Sequence, residues 1–426
     1  MIITGVIAEF NPFHNGHQYF LDTARKKTGA DAIVCILSGN FTQRGEPAII
    51  DKWVRTKMAL QQGADLVIEL PVIYAIQHAQ GFASGACKLL NATGVIDYLV
   101  FGSEHGEISQ LLALAKFLLA EPVAFQQYLQ AYLKKGFLFP RAQATSLLDY
   151  HQAYGIPQLE HLSSNQLYTL IRHPNNILGL EYLKTLLIIE SNMQPLTFTR
   201  YKADYHQPNL GSGRIASATA IRKALLSAQN WNRIQEVIPK QCWQILHHEI
   251  TAGRGPIFLN DFSPQLMTLL RRCDLADLTK IAGMDEGLEH RLQRIARAAG
   301  TIEELLRGLK TKRYTRTRLQ RLLLHFLLNI SRKDANLFAP ATMPCYLRVL
   351  GFTAQGQKVL RYIKKRASLP LITNPVHQLP PICLHSQRAS RIWELECLAT
   401  DLYMLANQAI SARSGGQDYT RPLLIV

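Results

Sequence analysis

The sequence from Ile2 to His17 is IITGVIAEFNPFHNGH, an apolar run followed by a polar turn that contains proline and glycine. The run Ile2–Ala8 is compact and rich in β-branched residues, which predicts a buried strand. A helical pattern follows from Gly16 to about Lys27, so the polar turn joins a strand to a helix. Because the first N–H groups of a helix have no partner within the helix and its dipole is positive there, this turn is expected to bind an anion.

The alternation of strand and helix continues beyond this turn. Each further strand is an almost continuous apolar run that follows a helical segment, which is typical of a parallel sheet covered on both faces. The predicted strands are Ala32–Leu37, Leu66–Leu70 and Tyr98–Phe101, with a helix over Asp51–Gln62. We therefore predict an α/β fold with a Rossmann-like parallel sheet, whose ligands bind at the carboxyl ends of the strands.

The later part of the chain is predicted to be mostly helical. An insertion over residues 109–190 carries the segments Gln110–Ala120, Pro122–Lys135, Ser163–Arg172 and Asn176–Glu190. A strand over Pro195–Tyr201 and a helix over Ala218–Ser227 then return to the sheet. We predict one domain over residues 1–230, with the helical insertion, and a basic, mostly helical domain over residues 231–426.

The composition narrows the possible functions. Of 426 residues, 47% are hydrophobic and 18% charged, enough for a large core. Lysine and arginine number 47 against 31 acids, a net charge of +16, which predicts an anionic partner. The seven cysteines lack metal-site or redox spacing, no apolar run is long enough to cross a bilayer, and no secretion signal is evident. We expect a cytoplasmic protein that acts on no membrane.

Two histidines in the first turn suggest phosphate chemistry. His14 and His17 are three residues apart, so they project from one face if both lie on the first helical turn. Two imidazoles on one face can donate hydrogen bonds to phosphoryl oxygens and stabilise charge as an α-phosphate is attacked. Gly16 leaves room for a phosphate near the backbone. The alternative is that both are surface histidines in a polar loop, or that one is a satisfied core residue, and it is disfavoured by their place directly after the first strand.

A second element, IASATAIR over residues 215–222, has the form of a phosphate-binding helix start. Ser217 is a good N-cap, and Arg222 follows about one and a half turns later. Hydroxyls and an arginine at a helix start suit the β and γ phosphates of a triphosphate. Taken alone, the element could equally be an ordinary capped helix, but the two elements together are much more specific.

The order of the longer motifs resembles that of a known family. They are EFNPFHNGH (residues 9–17), SGNFTQRGEPA (38–48), DLVIELP (65–71), FGSE (101–104), PNNILG (174–179) and TKRY (311–314). Together they resemble the bacterial tRNA(Met) cytidine acetate ligase family within the HIGH-type nucleotidyltransferase superfamily. The resemblance extends from the first strand to at least Arg321.

The resemblance implies an ATP-dependent ligase. Such an enzyme activates acetate as acetyl-adenylate and transfers the acetyl group to N4 of the wobble cytidine of elongator tRNA(Met), giving N4-acetylcytidine. His14 and His17 would be catalytic, and Mg²⁺ would be carried on the phosphates of ATP with no dedicated protein ligands. The expected ATP-binding residues are Ile7, Ala8, Glu9, Phe10, Asn11, Pro12, Phe13, His14, Asn15, Gly16, His17, Gln18, Tyr19, Phe20, Gly102, Asn175, Arg200, Ser217, Thr219 and Arg222.

A basic cluster is the candidate RNA-binding site. It consists of Lys310, Lys312, Arg313, Arg316 and Arg318, with Tyr314 as a possible stacking ring. A charge run is more often a solvated helix face, and only the resemblance favours contact with the tRNA backbone.

Several alternatives stay open at this point. Arg44 either contacts a phosphate or RNA, or pairs with Glu46, and Glu69 and Glu104 either orient a site residue or form structural pairs. A small-molecule adenylyltransferase that makes a dinucleotide cofactor would share the histidine motif but need no large basic domain. A non-catalytic RNA-binding protein would not need His14, Gly16, His17 and Arg222.

Overall fold

The computed structural model describes residues 1–199, 210, 213–227 and 231–426. Its strands are β1 (Ile3–Ala8), β2 (Ala32–Ser38), β3 (Leu66–Leu70), β4 (Tyr98–Ser103), β5 (Gln194–Thr199), β6 (Leu347–Phe352), β7 (Leu371–Ile372) and β8 (Leu424–Ile425). The helices up to residue 188 are α1 (Asn15–Thr28), α2 (Lys52–Gln61), α3 (Val72–Ala75), α4 (Ala79–Ala92), α5 (Ile108–Ala120), α6 (Val123–Lys134), α7 (Phe139–Tyr154), α8 (Ser164–Arg172) and α9 (Pro174–Ile188).

The helices that follow belong to the second half of the chain. They are α10 (Ala218–Leu226), α11 (Trp231–Glu236), α12 (Lys240–Thr251), α13 (Ser263–Arg272), α14 (Leu275–Leu278), α15 (Leu288–Ala298), α16 (Ile302–Leu309), α17 (Arg316–Leu327), α18 (Arg332–Leu337), α19 (Ala354–Arg366), α20 (Pro375–His385), α21 (Gln387–Met404) and α22 (Gln417–Thr420). Short 3₁₀ turns lie at Leu259–Phe262 and Ile410–Ala412.

The first compact unit combines Met1–Ile96 with Lys202–Val426. In it β1 pairs with β2, and β2 with β3, all parallel. β6, from late in the chain, pairs antiparallel with β3, and β7 and β8 pair with β6 in parallel. The residues of β2 and β3 are buried throughout, as expected for parallel strands with both faces covered.

The second compact unit, Asp97–Tyr201, contains β4 and β5 with helices α5 to α9. The two strands are parallel, with Tyr98 opposite Gln194 at the start of the register and Ser103 opposite Thr199 at its end. Gly179 of α9 packs on the ring of Phe101, where an added Cβ would lie 2.5 Å from a ring carbon. Close contact of helix and strand therefore fixes α9 on β4.

The predicted α/β fold with a parallel sheet is confirmed. The four strands predicted between residues 2 and 101 begin and end within two residues of the bounds of β1 to β4. Helix α7 was not predicted. The predicted strand at 195–201 corresponds to β5, although residues 200 and 201 lie outside the described part of the chain. Residues 109–190, which were predicted to form a helical insertion, lie within the second unit, and residues 231–426, predicted to be mostly helical, also supply β6, β7 and β8. The functional division at residue 230 stays a prediction.

No single described helix is long and apolar enough to cross a bilayer. The pair α5 and α6 reaches that length only when taken together, and the two helices are bent by 78°.

A buried cluster of charges joins α2 to three later elements. Nζ of Lys52 lies 2.6 Å from a carboxylate oxygen of Glu69 on β3 and 2.6 Å from one of Asp418 on α22. Nη1 of Arg348 on β6 lies 2.8 Å from Glu69 and 2.6 Å from Asp418. All four side chains are at most 5% exposed, so the two cations and two carboxylates neutralise one another. Glu69 therefore forms structural ion pairs, which decides between the two roles that the sequence analysis left open for it.

A second buried cation of α2, Arg55, binds backbone carbonyl groups. Its guanidinium donates to the carbonyl oxygens of Glu9 (2.8 Å) and Ser38 (2.9 Å), which follow or end β1 and β2. It also donates to those of Gly39 and Ile50. Carbonyl groups at the carboxyl edge of a sheet have lost their ladder partners, and Arg55 supplies the missing donors.

We predict that Asp418→Asn destabilises the protein at neutral pH by about 3–5 kcal/mol, because it leaves two buried cations with one carboxylate. Urea unfolding followed by tryptophan fluorescence measures this free energy. Trp393 reports locally, since the guanidinium of Arg348 lies 4.8 Å from its ring. Glu107→Gln, at an exposed carboxylate, is the control and should change the free energy by less than about 0.5 kcal/mol.

The same carboxyl group predicts the acid sensitivity. Burial alone would raise the pKa of Asp418, but the charges of Lys52 and Arg348 lower it to about 2. A carboxyl group whose pKa is lowered by folding stabilises the protein above its unfolded pKa, here 3.8, and that stabilisation is lost as the pH falls towards 2. An equal acid dependence in the Asp418→Asn variant would contradict this assignment.

Candidate functional site

The two histidines of the first turn form a reciprocal cap on α1. The backbone N–H of Gly16 donates to Nδ1 of His14 (3.1 Å), and the backbone N–H of His14 donates to Nδ1 of His17 (3.3 Å). The rings are stacked, with centroids 3.7 Å apart and planes inclined by 24°. Because each Nδ1 accepts a hydrogen bond, the ring proton of each neutral imidazole lies on Nε2. The predicted pairing of the histidines on one helical turn is therefore present.

The turn is built around this pair. The buried rings of Phe10 and Phe13 lie 5.0 and 5.6 Å from the ring of His17, measured between centroids. At Gly16 an added Cβ would lie 2.9 Å from Cε1 of His14, so a side chain there would displace the imidazole. Glycine is thus required at position 16 so that the ring of His14 can occupy its observed position. The sequence analysis had instead interpreted Gly16 as leaving room for a phosphate.

The helix amides at the start of α1 have partners, contrary to the sequence-based expectation of free N–H groups. The N–H of Asn15 donates to the carbonyl of Val237 (2.9 Å), and that of His17 to the carbonyl of His14 (2.8 Å). The N–H of Gly16 is used by the His14 ring. An anion at this turn would therefore have to be bound mainly by side-chain groups, since these three backbone N–H groups are engaged.

The two predicted phosphate elements are in contact. Nη1 of Arg222, on α10, donates to the carbonyl of Asn11 in the first turn (2.9 Å). The side-chain amide of Asn15 donates to the carbonyls of Arg214 (2.8 Å) and Glu236 (2.9 Å), on either side of α10. Ser217 caps α10 as predicted, since its Oγ accepts from the N–H of Ala220 (3.1 Å). The exposed Thr219 lies on the first turn of the same helix.

Charged groups of both signs surround this junction. Burial raises the pKa of Glu9, whose carboxylate accepts a hydrogen bond from the N–H of Gln43 (2.7 Å). Burial and the charge of Arg222 lower the pKa of Arg44, while Glu46 and Glu9 oppose that shift. Oε2 of Glu46 lies 3.5 Å from Nη2 of Arg222. Arg44 therefore lies in a mixed cluster with Glu9, Glu46 and Arg222, and the choice between its two alternatives stays open.

The other residues of the predicted ATP segment, Ile7 to Phe20, run from the end of β1 through this turn into α1. Gln18 is engaged within the fold, because its amide donates to Asp22 (2.9 Å) and to the carbonyl of Gln62 (3.3 Å).

In the second unit, Glu104 organises the start of α9. Its carboxylate accepts from the N–H and the side-chain amide of Asn175 and from the N–H of Asn176. Oδ1 of Asn176 accepts in return from the N–H of Glu104 (2.9 Å). The carboxylate of Glu104 therefore lies at the N-terminus of α9, where it has a structural role and holds Asn175 in position. Gly102 lies on β4 opposite Phe198, and Arg200 lies outside the described residues.

The basic cluster spans the loop between α16 and α17 and the start of α17. Lys310 and Lys312 are exposed. Arg313 lies 3.3 Å from Glu286, and Arg316 makes a two-pronged ion pair with Glu303. Part of the positive charge is therefore already paired inside the protein.

The predicted stacking role of Tyr314 requires a correction. The side chain is buried, with its hydroxyl donating to Glu286 (3.1 Å) and the Arg318 guanidinium 4.9 Å from its ring. Tyr314 thus holds the cluster together, and its ring offers no open face to a base.

Sequence reasoning missed the contacts that the loop over residues 38–48 makes with α17. Arg321 on α17 donates to the carbonyl of Gln43 (3.2 Å), and Gln320 to Glu46 (3.2 Å). At Gly45, with φ of +74°, a Cβ would lie 2.4 Å from the backbone nitrogen of Arg321. The sequence signal that could have indicated these contacts is Gly45 followed by Glu46, in a loop at the carboxyl edge of the sheet.

Comparison with known proteins agrees with this geometry. The sequence matches the family described as HIGH Nucleotidyl Transferase over residues 1–418. The tRNA(Met) cytidine acetate ligase of Acetivibrio thermocellus is 42% identical over 434 residues, covering 100% of both chains. That of Halothermothrix orenii is 41% identical, covering 100% of this chain and 99% of the other. The chain belongs to the tRNA(Met) cytidine acetate ligase family.

Solved structures of the family agree closely with this fold. The crystal structure of Thermotoga maritima TmcAL bound with alpha-thio ATP has a TM-score of 0.91 and 35% identity, with 100% of both chains covered. The apo form of the same protein has a TM-score of 0.93. The family predicted from the motifs is confirmed, as is the prediction that the protein is an enzyme of the ligase class.

For this member of the ligase family, we predict that both histidines of the first turn are neutral and protonated on Nε2 at neutral pH. The hydrogen bonds to each Nδ1 require this tautomer. Long-range ¹H–¹⁵N correlation spectra distinguish the tautomers, and His14→Gln and His17→Gln variants assign the signals. An Nδ1–H tautomer or an imidazolium at either position would contradict the cap.

Proposed function

We propose that the protein is an ATP-dependent ligase that acetylates N4 of the wobble cytidine of elongator tRNA(Met) in the cytoplasm, using acetate. The observation that carries the proposal is the contact between the His14–His17 turn and the Arg222 helix. This contact brings imidazole, guanidinium and hydroxyl donors to the carboxyl end of β1. The names of the relatives and the ATP analogue bound to the Thermotoga protein support the same substrates.

In the first step, an acetate oxygen attacks the α-phosphorus of ATP. The bond to the pyrophosphate oxygen breaks, pyrophosphate leaves with the electron pair, and acetyl-adenylate forms. Acetate is its own nucleophile, so the protein needs only to position the reactants and stabilise charge. The Nε2 donors of His14 and His17 and the guanidinium of Arg222 supply that stabilisation.

In the second step, the exocyclic amine of cytidine attacks the acetyl carbon. The C–O bond to AMP breaks, AMP leaves, and the amine loses a proton. The cytosine must be unpaired for this attack, as an anticodon base already is.

Mg²⁺ fits the site as an ion carried by ATP. Within the described residues, no group of three or more His, Cys, Asp or Glu side chains is placed to hold a metal ion. Phosphate oxygens and water are sufficient ligands for Mg²⁺, which would neutralise phosphate charge when bound. Gly102, Asn175 and Arg200 stay proposals for the nucleotide pocket.

The decisive experiment combines purified protein with ATP, labelled acetate and bulk tRNA. We predict acetyl transfer to tRNA and acetate-dependent ATP–pyrophosphate exchange, both reduced about 10²-fold or more in His17→Ala. His17→Asn is the sharper variant, since its side-chain oxygen can still accept from the N–H of His14 while the Nε2 donor is lost. It should lose exchange activity but keep the affinity for tRNA.

Other outcomes would separate the rival functions. A labelled dinucleotide product would favour a small-molecule adenylyltransferase. Binding of tRNA without exchange or transfer would favour a non-catalytic RNA-binding protein. Loss of tRNA affinity together with exchange in His17→Asn would contradict the proposed division between activation and RNA binding.

We propose that the basic cluster binds the tRNA backbone, and predict that neutralising Lys312, Arg313 and Arg316 to glutamine weakens tRNA binding. The plot of log affinity against log salt concentration should become less steep. The change should correspond to the loss of fewer than three phosphate contacts, because Arg313 and Arg316 already have carboxylate partners. Affinity for ATP should not change.

A charge-matched control uses Arg361, Lys364 and Lys365, which are exposed on α19. Changing these three to glutamine lowers the net charge equally. Equal losses of tRNA affinity in the two triple variants would show a nonspecific charge effect and contradict a binding site at 310–318.

A further inference from the structure

A cavity of about 270 Å³ lies in the first unit, next to the phosphate elements. One wall is α10, which contributes Thr219, Arg222 and Leu226. The opposite wall comes from α16 and α17, including Arg316 of the basic cluster and Gln320. The cavity is therefore lined both by residues expected to hold a triphosphate and by a helix expected to meet RNA.

Glu46 connects the two walls. One carboxylate oxygen lies 3.5 Å from Nη2 of Arg222, and the other accepts a hydrogen bond from the amide of Gln320 (3.2 Å). Aliphatic side chains such as Ile257 and Ile302 contribute much of the lining, which also includes Lys223, Asn260 and a second carboxylate, that of Glu303. Sites of this kind bind small planar groups, with a few polar atoms to fix their orientation.

The chemistry of this lining matches one unpaired nucleoside. The volume is sufficient for a base with its ribose, and the apolar residues can contact the faces of the ring. A carboxylate is the acceptor that pairs with the exocyclic amine of cytosine. Arg316 at the rim can exchange its carboxylate partner Glu303 for a flanking phosphate.

We propose that this cavity receives the acceptor cytidine of the tRNA and directs its exocyclic amine towards Glu46 and Arg222. The proposal rests on the proposed function and adds the place where the second substrate enters. Activation of acetate uses Thr219 and Arg222 at one wall of the cavity, whereas only transfer to RNA needs the rest of it.

The test fills the cavity from its exposed edge. Leu226 lines the cavity while its side chain is 65% exposed, so a larger residue there need not disturb the core. We predict that Leu226→Trp lowers acetyl transfer to tRNA about tenfold or more, while acetate-dependent ATP–pyrophosphate exchange stays within about twofold. Leu226→Phe should fall between, and Leu226→Ala should transfer at close to the unmodified rate.

Leu384→Trp, at a leucine that is 81% exposed and does not line the cavity, is the matched control and should change neither activity. Unchanged transfer in Leu226→Trp would overturn the proposal. An equal fall of exchange and transfer would also overturn it, since the cavity would then belong to the ATP or acetate site. Absence of exchange in the unmodified protein would instead contradict the proposed function itself.

Discussion

The candidate site depends on one buried guanidinium, that of Arg55. Where parallel strands end, their carbonyl groups lose the hydrogen bonds of the ladder, and burying them unpaired would cost free energy. Arg55 donates to three such carbonyls, those of Glu9, Ser38 and Gly39, and to the carbonyl of Ile50 close to the start of α2. The loops that follow β1 and β2 are thus held apart at fixed positions. The His14–His17 turn belongs to the first of these loops, and Arg222 of α10 packs against it through the carbonyl of Asn11.

Several of the 47 lysine and arginine side chains are already engaged within the protein and are not free to bind RNA. Arg55 donates hydrogen bonds to backbone carbonyl groups, and Lys52 and Arg348 form ion pairs with buried carboxylates. Arg313 is paired with Glu286, and Arg316 with Glu303. Binding a polyanion at the basic cluster means exchanging carboxylates for phosphates. The affinity gained per arginine is therefore smaller than for an unpaired cation, while the geometry of the exchange favours partners whose phosphates match the carboxylate positions.

Local patterns predicted the first four strands and the paired histidines, because apolar runs and a short polar turn are properties of adjacent residues. They missed β6, whose run is interrupted by Arg348, since a buried arginine in a strand is stable only with Glu69 and Asp418 beside it. The same limit applies to Glu46 and to Tyr314, which sequence had offered as a stacking ring. Their roles arise from contacts between distant segments, which spacing along the chain does not encode.

The Lys52 cluster has a consequence for biosynthesis. Lys52 and Asp418 are 366 residues apart along the chain, and Glu69 and Arg348 are 279 residues apart, so Lys52 and Glu69 are synthesised long before their partners. Until then, the edge of β3 also lacks its neighbour β6. From the synthesis of β3 to that of β6, the nascent chain therefore carries an unpaired sheet edge, a state that exposes backbone donors and acceptors to wrong pairing.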